Sequence, residues 1–141
     1  MIPVNATEAR KQWSIVIDEA VRDRPVFLKR TRDRLVLYNI GLARMLLEDR
    51  HFTAGITKED NGTVTLSLNE LDLTESAPSM EEARHILAES ILKYAYEYYD
   101  NFSLWSNAPE RKHHLPYVMK ALLLDDISLV EESISCKDAG K

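Results

Sequence analysis

Clustered cations are the side chains in this sequence best placed to do chemistry. Residues 7–15 read TEARKQWSI and set Arg10 and Lys11 beside Trp13, near the start of a helical pattern. The first turn of a helix carries a partial positive charge and favours Asp or Glu, so cations there cost a few tenths of a kcal/mol each, roughly, unless they and the helix end face a polyanion. A second cluster, Lys29, Arg30, Arg32 and Arg34, falls at what reads as a hairpin turn. Taken alone, such a turn is equally a charged tip that keeps a sheet edge soluble, and Lys and Arg are common solvated helix residues. Two cationic clusters together favour the sharper reading. Helix ends and arginines both contact phosphate, and arginine also reads guanine edges with its forked donors.

Catalytic chemistry finds less support. The stretch ERKHHLP gathers Glu110, His113 and His114, and His85 lies on a separate helical pattern. A zinc site wants two histidines three or four apart plus a further ligand, and adjacent histidines on a helix point in different directions. H-E-x-x-H is absent. The chain has only four glycines and no phosphate-cradling glycine loop. The run Glu97, Tyr98, Tyr99, Asp100 reads as packing with wet hydroxyls. The expectation is therefore a non-enzyme with no catalytic residue, no metal site and no cofactor.

Composition sets the frame. A chain of 141 residues, 45% hydrophobic and 29% charged, is one ordinary domain or two small ones and should fold. The single cysteine, Cys136, excludes a disulfide framework and a thiolate metal cluster. There is no apolar run of about 18 residues, and MIPVNATEAR lacks a signal-peptide core, so no membrane association and a cytoplasmic location are expected. The net charge of −5 hides a split: residues 1–50 hold ten Lys/Arg and seven Asp/Glu, whereas residues 51–141 hold eight and sixteen. A basic surface for nucleic acid and an acidic one for another partner fit that asymmetry.

The elements that must position the cations come from periodicity. MIPVNA is short apolar alternation, and Thr7 is a plausible N-cap. Ala9, Trp13, Val16, Ile17, Ala20 and Val21 then recur at amphipathic-helix spacing, with Arg10, Lys11, Ser14, Asp18 and Arg22 on the other face. Arg24-Pro25 ends the helix. PVFLKRT and RLVLYNI form a hairpin through TRDR, and GLARMLLEDR is a second helix. The expected order is β-α-β-β-α.

With those residues in place, N-A-T-E-A-R-K, the helix ending near D-R-P-V, F-L-K-R-T and the valine-leucine strand resemble the Phd/YefM antitoxins of bacterial toxin–antitoxin modules, over roughly residues 1–50. The resemblance implies a dimer that binds its own double-stranded operator through the N-terminal part and neutralises a toxin through the C-terminal part. It places Arg10 and Arg30 in DNA-contacting positions, with Lys11 and Arg32 as neighbours. The turn T-R-D-R lacks the glycine that relatives often have. Trp13 reads as core or dimer packing.

Residues 51–141 do not look like a disordered tail. HFTAGITKED alternates Phe52, Ala54 and Ile56, and after DNG the run TVTLSL alternates Val64, Leu66 and Leu68, giving a second hairpin. Ser79 opens a capping box with Glu82 before a helix that carries Ala83, Ile86, Leu87, Ile91, Tyr94, Ala95 and Tyr98 to about Tyr99. Asn107 with Glu110 suggests another capped helix, interrupted near Pro116, and ISLVEES a last short one. The stretch from GITKED to AESIL is loosely similar to HicB-type antitoxins and brings no site with it.

The expected fold is α+β: an N-terminal β-α-β-β-α, Phd/YefM-like dimerisation and DNA-binding unit (1–50), then an acidic hairpin-plus-helices unit (51–141) for a toxin or other partner. The expected function is that of a type II antitoxin, a homodimer that autorepresses through Arg10, Lys11, Arg30 and Arg32 and blocks a small basic toxin. The alternative is a stand-alone regulator or interaction module of the same fold.

Overall fold

A computed structural model describes residues 1–138. The chain is α+β and divides into two compact units, the first Met1–Leu46 and the second from Leu47 onward.

In unit 1 the order is β1 (Val4–Asn5), α1 (Ala6–Lys11), α2 (Trp13–Arg22), β2 (Val26–Arg30), β3 (Asp33–Leu37) and α3 (Ile40–Leu46). Its sheet runs β1-β2-β3, with β1 parallel and β3 antiparallel to β2. Two expectations need correction. The N-cap is Asn5, not Thr7: the Asn5 carboxamide oxygen accepts the Thr7 N–H at 2.8 Å. The expected single helix is also broken at Gln12 (φ −119°, ψ 38°), whose N–H is shared between the carbonyls of Glu8 and Ala9. In an unbroken helix Ala9 and Trp13 lie on one face. With the break, both still line one apolar recess beside Leu28, but Ala9 is buried while Trp13 is 50% exposed. Trp13 is therefore not a core residue of its own chain. The buried cluster of unit 1 is small: Ala9, Val16, Ala20 and Val26, with Leu28 and Leu37 packed against it.

Unit 2 runs β4 (Phe52–Lys58), β5 (Val64–Leu68), β6 (Leu73–Ala77), α4 (Met80–Asp100), α5 (Phe102–Ser106), a single 3-10 turn (Lys112–His114), α6 (Leu115–Leu124), α7 (Ile127–Glu132) and β7 (Ile134–Asp138). The expected β4–β5 hairpin is present and pairs Ile56 with Leu66. It belongs to a four-stranded sheet of order β6-β5-β4-β7, in which β7 returns parallel to β4. The Ser79 hydroxyl accepts the Glu82 N–H at 3.2 Å and starts α4. That helix buries Ala83, Leu87, Ile91, Ala95 and Tyr98 in the cluster it shares with the sheet and the later helices.

Four local expectations for unit 2 change. Ile86, one residue and so about 100° from Leu87, is exposed, while Ala88 and Leu92 are buried. Asn107 closes α5 instead of opening a helix: its side-chain amide donates to the Ser103 carbonyl at 2.7 Å. Pro116 sits in the first turn of α6, where its missing N–H is no loss and its fixed φ suits the helix. The Tyr98 hydroxyl is not wet; the ring is fully buried and the O–H donates to the Arg111 carbonyl at 3.1 Å.

Unit 2 buries eighteen apolar residues in one cluster, against four in the corresponding cluster of unit 1. Burial contributes about 25 cal/mol per Å² of apolar surface removed from water, so the larger cluster gives unit 2 the larger hydrophobic stabilisation. Unit 1 buries only those four and Ala43, and a unit of its size with so few buried residues rarely does without a partner surface.

Candidate nucleic-acid interface

The expected cations are all on unit 1, and all of them are exposed. Their settings differ from the expectation in one respect. Because the helix breaks at Gln12, Arg10 and Lys11 fall in the last turn of α1, not at a helix start. A helix C-terminus carries partial negative charge and favours cations, so their placement costs nothing and by itself calls for no polyanion. Lys11 is 3.6 Å from Glu8, an exposed pair one turn apart.

The sheet supplies the missing electrostatic signal. Side chains alternate between faces along a strand. In β2, Val26, Leu28 and Arg30 therefore share the face on which Val26 and Leu28 meet the helices, while Phe27 and Lys29 share the other. Arg10 lines a small apolar recess with Ala6, Ala9, Trp13 and Leu28, which places it on the Leu28 side of β2, the side that Arg30 shares. Arg30 is 3.3 Å from Asp33 across the turn. Such an exposed pair contributes at most about 1 kcal/mol and exchanges readily for another anion.

On the opposite face Lys29 is registered directly against Arg34. Like charges at paired positions destabilise a sheet. Neither makes an ion pair among the described residues, and the same holds for Arg10 and Arg32. This opposition was accessible to sequence reasoning: a two-residue turn of Thr31 and Arg32 pairs Arg30 with Asp33 and so forces Lys29 onto Arg34. Arg32 itself stands at the hairpin tip beside Thr31, whose φ of +55° lies in the left-handed region that glycine favours. The glycine absent from T-R-D-R would occupy this conformation without strain.

Around the cations, unit 1 leaves large apolar side chains in solvent. Trp13 and Ile15 on α2, Phe27 on β2 and Leu35 and Val36 on β3 are all exposed, Ile15 by 64% and Leu35 by 54%. Leu35 pairs with Leu28 and shares its helix-facing side, yet the helices leave it uncovered.

Unit 2 has the opposite charge, with nine Lys/Arg and eighteen Asp/Glu from Leu47 onward, against nine and five in unit 1. Its histidines are not a uniform surface set. His85 Nε2 is 2.9 Å from Glu89 on the solvent side of α4. His114 is buried, with Nδ1 2.7 Å from the Tyr94 hydroxyl. Burial pushes its pKa below the ordinary imidazole value, with the Asp72 carboxylate 3.4 Å from Nε2 opposing the shift. No helix among the described residues is long and apolar enough to cross a membrane.

The profile of the PHD-like family, described as antitoxin of toxin–antitoxin, RelE/RelB, TA system, matches residues 1–136. Among solved structures, the chain is similar to one described as the antitoxin part of a proposed toxin/antitoxin system from Syntrophomonas wolfei subsp. wolfei. The two are 39% identical with a TM-score of 0.92, covering 99% of this chain and 100% of that one. No curated protein matches the chain.

Proposed function

The chain belongs to the PHD-like family of toxin–antitoxin antitoxins, and we propose that within it the chain acts as a Phd/YefM-type homodimer that represses its own operon and holds a cognate toxin inactive. Unit 1 is the DNA-binding and dimerisation unit; the acidic unit 2 faces the toxin. Arg10 and Arg30 contact the operator from one face of the β2–β3 hairpin and Lys29 and Arg34 from the other, so that the turn end of the hairpin meets phosphate on both sides, with Lys11 and Arg32 as neighbouring contacts. The protein has no catalytic role and works in the cytoplasm.

One observation carries this reading. Lys29 and Arg34 oppose each other across the hairpin with no ion pair to either among the described residues, an arrangement that costs stability in the free protein and is relieved by an anion such as phosphate. The exposed Trp13, Ile15 and Leu35 on a unit with so few buried residues support the dimer; a second copy covering them would supply the burial that unit 1 lacks. For the toxin, an excess of acids on unit 2 favours a small basic partner through electrostatic steering.

Sedimentation of the full chain together with fluorescence anisotropy on the upstream DNA tests both claims. The expected result is a dimer whose operator affinity falls steeply with salt and drops in Arg10→Ala and Arg30→Ala. A monomer that binds all duplexes alike, or mutants that bind as tightly as wild type, would remove the assignment.

A further inference from the structure

In unit 2, three side chains far apart in sequence converge: one potential ligand atom from each of Asp72, His113 and His114 lies within 4.8 Å of the others. Asp72 ends the turn between β5 and β6, held in a left-handed backbone at φ +54°. The two histidines close the 3-10 turn that leads into α6. Adjacent histidines diverge on an α-helix, but here their rings lie 4.3 Å apart between centroids. The third group arrives from 42 residues away in sequence. We propose that Asp72, His113 and His114 form a binding site for one divalent transition-metal ion of the zinc class, with the fourth coordination position open to water.

Three features of the geometry support this. His114 Nε2 and Asp72 Oδ2 are 3.4 Å apart, beyond the usual N–H···O range of about 2.7–3.2 Å. Two ligands on one tetrahedral zinc at about 2.0–2.1 Å stand roughly 3.3–3.4 Å from each other, so the separation suits a shared ion better than a direct bond. The far side of His114 is also prepared. Its Nδ1 lies 2.7 Å from the Tyr94 hydroxyl, which in turn accepts from Arg111 Nη1 at 3.3 Å. A ligating histidine characteristically commits its second ring nitrogen in this way, which fixes ring and tautomer. Lastly, two imidazoles and one carboxylate select zinc-like ions over magnesium or calcium, and the unit carrying them has twice as many acids as bases. Arg111, the nearby cation, lies over the Trp105 ring at 3.8 Å, its guanidinium committed to that face. The site is independent of the operator-binding assignment.

Calorimetric titration of the full-length, chelator-treated chain with zinc chloride at pH 7.5 tests the proposal, with cobalt(II) absorption as a second readout. One zinc per chain is expected, with a tetrahedral cobalt spectrum. Asp72→Asn retains the residue's tolerance for a left-handed backbone, and His113→Ala alters an exposed ring; each should weaken binding at least tenfold while the circular dichroism stays native. His85→Ala, which removes the competing His85–Glu89 pair, should leave binding unchanged. Failure of the full-length chain to bind zinc, undiminished binding in both Asp72→Asn and His113→Ala, or binding lost only in His85→Ala would each overturn the site.

Discussion

Replacing Arg34 with threonine should make unit 1 more stable and a weaker DNA binder at once. Arg34 opposes Lys29 in register, and neither makes an ion pair among the described residues. Like charges at paired strand positions cost about 0.2–1 kcal/mol, and threonine adds the strand preference of a β-branched side chain. For a small domain, where about 1 kcal/mol moves Tm by roughly 4–8 °C, the gain is about 1–8 °C. It should shrink near 1 M salt, where the screening length is about 3 Å. The DNA effect has the opposite sign. A dimer would lose two phosphate contacts, and each contributes about 0.9 to the slope of log affinity against log salt, so the slope should fall by roughly 2. Hydrogen exchange of the Val26–Arg30 and Asp33–Leu37 amides reads the stability, and anisotropy at four or five salt concentrations reads the slope. A less protected hairpin would refute the like-charge argument. An unchanged slope would refute the assignment of this face to phosphate.

Further outcomes can be checked in the same protein. Arg10→Ala and Arg30→Ala should each weaken operator binding while moving stability by less than about 0.5 kcal/mol, as exposed substitutions do; paired gel shifts and melting curves decide this. Thr31→Gly should raise hairpin protection, because a left-handed residue with a Cβ costs about 1–2 kcal/mol while glycine's extra unfolded freedom returns about 0.5–1; a loss of protection would mean that Thr31 is not strained. Leu87→Ala, at a fully buried position on α4, should cost unit 2 about 2–5 kcal/mol in denaturant unfolding, and a cost under 1 would place Leu87 outside the core. Burial pushes the Cys136 thiol pKa up, with Arg84 only partly opposing it. Thiolate should therefore be scarce at pH 7–8, and alkylation should accelerate at higher pH than for a free thiol; rapid labelling at pH 7 would contradict the burial.

Where side-chain periodicity was long and regular, the fold was legible. Alternation placed β2, β3, β4 and β5, and the serine three residues before Glu82 marked the start of α4. The misses have physical reasons. Asn5 and Thr7 are both good caps, and only the entry from β1 directly into Ala6 selects Asn5. Nothing in A-R-K-Q-W breaks a helix, so neither the turn at Gln12 nor the exposure of Trp13 is written in local propensity. LTESA and ISCKD are short and polar, and become strands because β5 and β4 offer them open edges. The cationic residues were visible as a cluster, but the meaning of Lys29 and Arg34 depends on a register fixed by the turn. Asp72 could not be joined to His113 and His114 without the tertiary fold.

The most direct test is functional: inducible expression of the product of the adjacent reading frame, alone and together with this chain. Growth arrest by that product alone, relieved when the full-length chain is co-expressed and accompanied by a complex that survives purification, is the expected result. An adjacent product that is harmless alone, or arrest that the chain leaves unchanged with no complex formed, would contradict neutralisation of a cognate toxin.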